Sequence, residues 1–103
     1  MVEIQLAGPG KNALGTSLIE TVLDQVSKAD GAPILFTGQG DAFSAGLNLK
    51  EVESLDPEGM DAFLDRLVSF FRTVWLYPGP TAAAVNGHAI AGGCILAMCY
   101  LIL

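Results

Sequence analysis

Val85-Asn86-Gly87-His88-Ala89-Ile90-Ala91-Gly92-Gly93-Cys94 is the stretch that decides how this chain is read. An apolar strand, Ala82 to Val85, runs into glycines, and an apolar helix begins at about Gly92. Adjacent glycines at a helix start leave backbone N–H groups bare and let a ligand approach closely. Such an end favours negative charge, including an oxygen that turns negative only during reaction. Upstream, a second apolar strand runs into another glycine-bearing turn, Phe43-Ser44-Ala45-Gly46-Leu47-Asn48. Two such turns can aim two N–H groups at one carbonyl oxygen, which is the physical case for an oxyanion hole. The competing reading is that both are ordinary turns joining strands to helices.

Working outward, Val2 to Leu6 alternates apolar and polar residues, as a half-buried strand does, and Gly8-Pro9-Gly10 breaks it. A helix is expected from about Ser17 to Ala29. Ser17 and Glu20 fit a capping box, Leu14, Leu18, Val22 and Val26 form an apolar stripe with Ile19 and Leu23, and Asp30-Gly31 ends the helix. Pro33 to Thr37 reads as a strand buried on both faces of a parallel sheet. Asp56 as N-cap and Pro57 at the first position open a helix to about Leu76, with Phe63, Leu67, Phe70, Phe71, Val74 and Trp75 on its apolar face. Tyr77-Pro78-Gly79-Pro80 stops it. The strand Thr81–Val85, the glycine turn, a helix from Gly92 to about Cys99 and a final strand follow. The order strand, helix, strand, turn, helix, strand, helix, strand reads as α/β with crossover connections in one domain.

Asp41-Ala42-Phe43-Ser44-Ala45-Gly46-Leu47-Asn48-Leu49-Lys50-Glu51, followed by Ala83-Ala84-Val85-Asn86-Gly87-His88-Ala89-Ile90-Ala91-Gly92-Gly93-Cys94, resembles the crotonase superfamily, the enoyl-CoA hydratases and isomerases. Val2 to Leu6 and Lys11-Asn12-Ala13-Leu14 resemble the family's first strand and turn. The resemblance covers nearly the whole chain, and the two motifs in this order are far more specific than either alone. It implies a crotonase-like spiral of repeated ββα units. Because members run to more than twice this length, residues 1–103 would be the N-terminal portion of such a domain. The closing run Tyr100-Leu101-Ile102-Leu103, with no turn signal after it, fits that expectation.

The family's shared step makes an enolate from an acyl-CoA thioester, the negative oxygen being held by two backbone N–H groups. Those donors fall on Leu47 and Gly92 here. Losing one such donor costs about 3–4 kcal/mol. Ser44, Ala45, Gly46, Leu47 and Gly93 fall where the family's backbone meets the substrate and its CoA moiety. Lys50 matches a position that can reach CoA phosphates; it also reads as a solvated lysine at a helix start, and the sequence leaves both open. Hydratases use two carboxylates for general acid–base catalysis. The first falls on Ile95, which cannot transfer a proton. Members that shift a double bond carry an apolar residue there, and their single carboxylate base would lie beyond Leu103, so the fragment alone would turn over poorly. Leu101 is a second departure, since the family usually has an aspartate there.

Other candidates carry less. His88 has no Ser or Asp partner at a telling spacing and reads as structural or pocket wall. Cys94 sits where a helix N-terminus lowers thiol pKa values, but packing is the favoured reading. Asn86 should bond backbone in its turn, Trp75 should be core, and Glu51 and Glu53 should be solvated charges. Gly38-Gln39-Gly40 lacks the Gly-Lys-Ser/Thr that a phosphate loop needs. One histidine and two cysteines offer no metal cluster, and no cofactor is expected beyond the coenzyme A of the substrate.

Composition is consistent with a packed core: 51% hydrophobic, 16% charged. A net charge of −6 argues against nucleic acid and does not favour anionic CoA, so local cations such as Lys11 and Lys50 must offset the field. Cys94 and Cys99 read as buried free thiols in a reducing cytoplasm, and Met1-Val2-Glu3 lacks a secretory signal's features. The uncharged run Ala89 to Leu103 is 15 residues, short of the roughly 20 a spanning helix needs, so no membrane role is expected. The reading is therefore an acyl-CoA enzyme, isomerase-like rather than hydratase-like, with a homotrimer or dimer of trimers implied by the resemblance. The alternative is a non-catalytic crotonase-like remnant that binds CoA or assembles with other subunits. Exposed apolar surface should make the fragment associate.

Overall fold

The computed structural model describes residues 1–90, 93, 95, 96, 101 and 102. Its main sheet contains β1 (Val2–Leu6), β2 (Ile34–Gly38), β4 (Thr81–Ala84) and β6 (Leu101–Ile102), all parallel and in the order β1-β2-β4-β6. A smaller parallel pair joins β3 (Ala42–Ser44) to β5 (His88–Ala89). An isolated bridge between Leu14 and Leu47 extends that smaller arrangement by one step. Each repeat therefore sends one strand to the large sheet and the next to the small one, then returns through a helix. The chain winds as a spiral of ββα units, each turn advancing by one strand.

Register explains the core. Val2, Ile34 and Thr81 align across the sheet, as do Ile4, Phe36 and Ala83. Alternation then puts Ile4, Leu6, Ile34, Phe36 and Ala83 on one face, and all five are buried. Two helices cover that face. Helix α2 (Thr16–Ala29) brings Leu18, Ile19, Val22 and Val26; helix α4 (Pro57–Trp75) brings Phe63, Phe70 and Val74. Truncating any one of the buried phenylalanines to alanine costs about 3–5 kcal/mol. Glu3 and Gln5 stand on the opposite face and are exposed.

Three local expectations are corrected. Ser17 does not cap α2: Gly15 is the N-cap, and no side chain of its own end bonds the first turn. Trp75 is not core but 67% exposed. The strand expected at Pro33–Thr37 runs Ile34–Gly38, and the one at Thr81–Val85 ends at Ala84. The α4 start is as expected, with Asp56 Oδ1 accepting from Gly59 N at 2.7 Å and Pro57 at the first position. Asp30 (φ 48°) and Gly31 (φ 84°) end α2 in left-handed backbone. Four short elements lie outside the expected order: β3, β5, α1 (Pro9–Asn12), a turn with Gly10, Lys11 and Asn12 all at positive φ, and α3 (Leu49–Ser54). Gly93, Ile95 and Leu96 are helical, in line with the helix expected after the second glycine motif; Gly92, Cys94 and Cys99 lie outside the described residues.

Candidate functional site

The turn after β3 is shaped by the segment before α2. Gly46 takes φ 94°, a backbone that L side chains avoid, and so lets the chain reverse out of β3. Three of the turn's N–H groups have acceptors. Ala45 N donates to Lys11 O at 3.1 Å, Gly46 N to Ser44 Oγ at 3.3 Å and Asn48 N to Leu14 O at 2.9 Å. Leu14 N donates to Gly46 O. A trans peptide holds its C=O and N–H in opposite directions, so with Gly46 O turned toward Leu14, the Leu47 N–H points away from Leu14. No acceptor for that N–H is found among the described residues.

Asn12 holds the other side of the scaffold. Only 2% exposed, it donates through Nδ2 to Gln39 O and Ala42 O at 3.0 Å and to Phe43 O at 3.3 Å. Its Oδ1 accepts from Gly8 N at 3.2 Å. The short amide side chain also suits the left-handed backbone at this position (φ 60°). In the sequence Asn12 stands two residues after Gly8-Pro9-Gly10, and an Asn there is the kind of residue that tolerates such a turn.

A cavity of about 360 Å³ lies against this turn, lined by Gly10, Ala13, Ala45, Leu47, Asn48 and Lys50 among others. Ala45, Leu47 and Lys50, three of the expected site residues, are thus brought together. Ser44 is buried beneath them. A larger cleft of about 440 Å³ at the C-terminal ends of α2 and α4 contains none of the site residues. The smaller cavity is the one lined by Leu47, whose N–H has no acceptor among the described residues, and by a lysine.

The second glycine motif approaches from β5. Ile90 N donates to Ser44 O at 3.0 Å, and Gly93 N donates to Ile90 O at 2.8 Å. Gly93 lies so close over the Ser44 carbonyl that an added Cβ would overlap its oxygen. Gly92, the expected second donor, lies outside the described residues. Asn86 bonds backbone as expected, but across the molecule: Oδ1 accepts from Gly38 N at 3.0 Å, and Nδ2 donates to Gly38 O and Gly40 O at 3.0 and 2.8 Å. The Gly38-Gln39-Gly40 turn is therefore tied by Asn86 and Asn12. His88 is exposed, and Ile95 is a helical residue with 53% of its surface exposed.

Charges near the site differ from expectation in two places. Lys11, expected to offset CoA charge, pairs with Asp41 at 2.9 Å. The Lys11 ammonium, first through its hydrogen bond and then by Coulomb attraction, holds the Asp41 carboxyl below its ordinary value. Lys50 has no ion pair among the described residues. Glu51 is not simply solvated: its carboxylate accepts from Thr16 N at 3.0 Å and Thr16 Oγ1 at 2.6 Å, which caps α2 from α3. No local spacing signals this, since the partners are 35 residues apart. Among the described residues, no cluster of His, Cys, Asp and Glu is placed to hold a metal, and no helix is long and apolar enough to cross a membrane.

Residues 1–102 match the family model described as enoyl-CoA hydratase/isomerase. A probable enoyl-CoA hydratase of Mycobacterium leprae is 38% identical over 106 residues, which is 95% of this chain and 41% of the relative. A putative enoyl-CoA hydratase of Thermus thermophilus is 36% identical, covering 82% of this chain and 35% of its own. A peroxisomal enoyl-CoA delta isomerase of Arabidopsis thaliana is 35% identical, over 92% and 42% respectively. Among solved structures, an enoyl-CoA hydratase from Thermoplasma volcanium superposes with TM-score 0.84 at 31% identity, over 95% of this chain and 41% of that one. The chain thus spans about two fifths of the length of the relatives it matches.

Proposed function

The chain belongs to the enoyl-CoA hydratase/isomerase family, and on that premise we propose that it supplies the oxyanion-holding half of an acyl-CoA enzyme. The observation that carries the reading is the Leu47 amide. It is the one N–H of residues 45–48 without an acceptor among the described residues, it is turned away from Leu14, and it belongs to a residue that lines a cavity. An amide fixed by its neighbours and left unpaired needs no reorganisation when charge develops in front of it. Gly92 N–H is the second donor. Together they polarise the thioester carbonyl and stabilise the enolate that follows loss of an α-proton.

Ala45 and Leu47 form the substrate's cradle over the buried Ser44, Gly46 and Gly93, and Lys50 meets the phosphates of CoA. Coenzyme A enters as part of the substrate, not as a resident cofactor. Double-bond migration is favoured over hydration because Ile95 stands where hydratases carry their first carboxylate. This reading places no base within residues 1–103. The working form is a cytoplasmic homo-oligomer, a trimer or hexamer.

Since this reading places no base within residues 1–103, the test uses the longest natural polypeptide that contains them, with a 3-enoyl-CoA and separately with a 2-enoyl-CoA. The expected result is conversion of the first to the conjugated isomer and no hydration of the second. Gly92→Pro, which removes the second donor's hydrogen, should lower that rate by about 10²- to 10³-fold. Rapid water addition would contradict the isomerase reading, and unchanged turnover in Gly92→Pro would contradict the oxyanion reading. Tight acyl-CoA binding without either reaction would favour a CoA-binding remnant.

A further inference from the structure

Ser44 has no exposed surface and touches both glycine turns at once. Its hydroxyl donates to Asn12 O at 2.8 Å and accepts from Gly46 N at 3.3 Å. Its carbonyl oxygen accepts from Ile90 N at 3.0 Å and lies under Gly93, with no room for a Cβ between them. On one side, then, the side chain orients Gly46, whose carbonyl shares a peptide plane with the Leu47 N–H. On the other, the main chain holds Ile90 and Gly93.

We propose that Ser44 is a positioning residue: its hydroxyl aims the Leu47 oxyanion donor through Gly46, and its carbonyl fixes Ile90 and Gly93 of the second turn against the first. The inference rests on the reading of Leu47 and Gly92 as donors. It explains why a polar side chain is kept at a fully buried place: both of its hydrogen-bonding roles are met internally. It also explains why Gly93 must lack a side chain. A Cβ there would push the two turns apart at their point of contact.

The bound carbonyl itself is the readout. An acyl-CoA carrying ¹³C at the thioester carbonyl is added to the protein and to its Ser44→Ala and Ser44→Thr variants. The carbonyl stretch is then recorded by isotope-edited infrared difference spectroscopy. Hydrogen bonds to the oxygen lower that frequency, so the unaltered protein should show a band below that of the free thioester. Ser44→Ala should move the band back toward the free position, and Ser44→Thr, which retains a hydroxyl, should move it back less. A merely structural serine would lower thermal stability and leave the band of bound ligand where it was; that result overturns the proposal while the oxyanion reading stands. Ser44→Cys serves if the alanine variant does not fold, because a thiol keeps the volume but bonds weakly; an unmoved band again overturns the proposal. A protein that binds no acyl-CoA, or whose band equals that of the free thioester, overturns the oxyanion reading and this inference with it.

Discussion

At the scale of single residues, the site is built by side chains that bond to backbone rather than to substrate. Asn12 is the clearest case, since its amide serves four main-chain groups from a buried position. Orphaning a buried polar group costs about 1–3 kcal/mol. Asn12→Ala should therefore lose at least about 2 kcal/mol in urea unfolding, and a loss near zero would show that water replaces the amide. Asp41 gives a pH prediction. Its folded-state carboxyl is held below the ordinary value by Lys11, so the favourable interaction is present above the ordinary carboxylate pKa and is lost as pH falls through the depressed one. Carboxyl-carbon NMR should show Asp41 titrating below an ordinary aspartate, and Lys11→Met should return it upward. Both side chains are exposed, so little change in stability is expected. Residues with a local reason are legible in the sequence, such as Gly46 in its turn; the partners of Asn86 are not, since Gly38 and Gly40 lie 48 and 46 residues away. Nor are the partners of Asn12, about thirty residues away.

At the scale of elements, the two main helices show what local sequence can and cannot announce. Helix α4 carries its start signal within itself, in Asp56 and Pro57. Helix α2 does not: its capping oxygen comes from Glu51 on α3. Glu51→Ala should destabilise the protein by about 1 kcal/mol, the worth of a helix cap, and Glu51→Gln, which keeps an acceptor oxygen, by less. Hydrogen exchange in the first turn of α2 would locate the effect; unchanged protection there would contradict it. Trp75 is exposed for a geometric reason. Phe63, Phe70 and Val74 share one helical stripe, whereas Leu64, Val68 and Trp75 share another, one residue and so about 100° further round. The sheet and α2 cover only the first.

At the scale of the whole molecule, the spiral brings the strands that lead into the two glycine turns side by side by pairing β3 with β5. That architecture was readable from the order of motifs, because each glycine turn follows an apolar strand and precedes a helix. The pairing of the short strands was not, since β5 has only two residues and no pattern of its own. The second stripe of α4, with Leu64, Val68 and Trp75 at 44%, 65% and 67% exposure, leaves apolar surface uncovered. The 103-residue chain should accordingly sediment as concentration-dependent assemblies, and Val68→Glu combined with Trp75→Glu should shift it toward monomer. A chain already monomeric at high concentration would contradict this. The central claim is that two main-chain amides meet at one thioester oxygen. A crystal structure with a non-reactive acyl-CoA analogue bound tests it most directly. The account predicts the nitrogens of Leu47 and Gly92 both at about 2.7–3.1 Å from the carbonyl oxygen; either nitrogen out of hydrogen-bonding reach, or an N–H directed elsewhere, would contradict it.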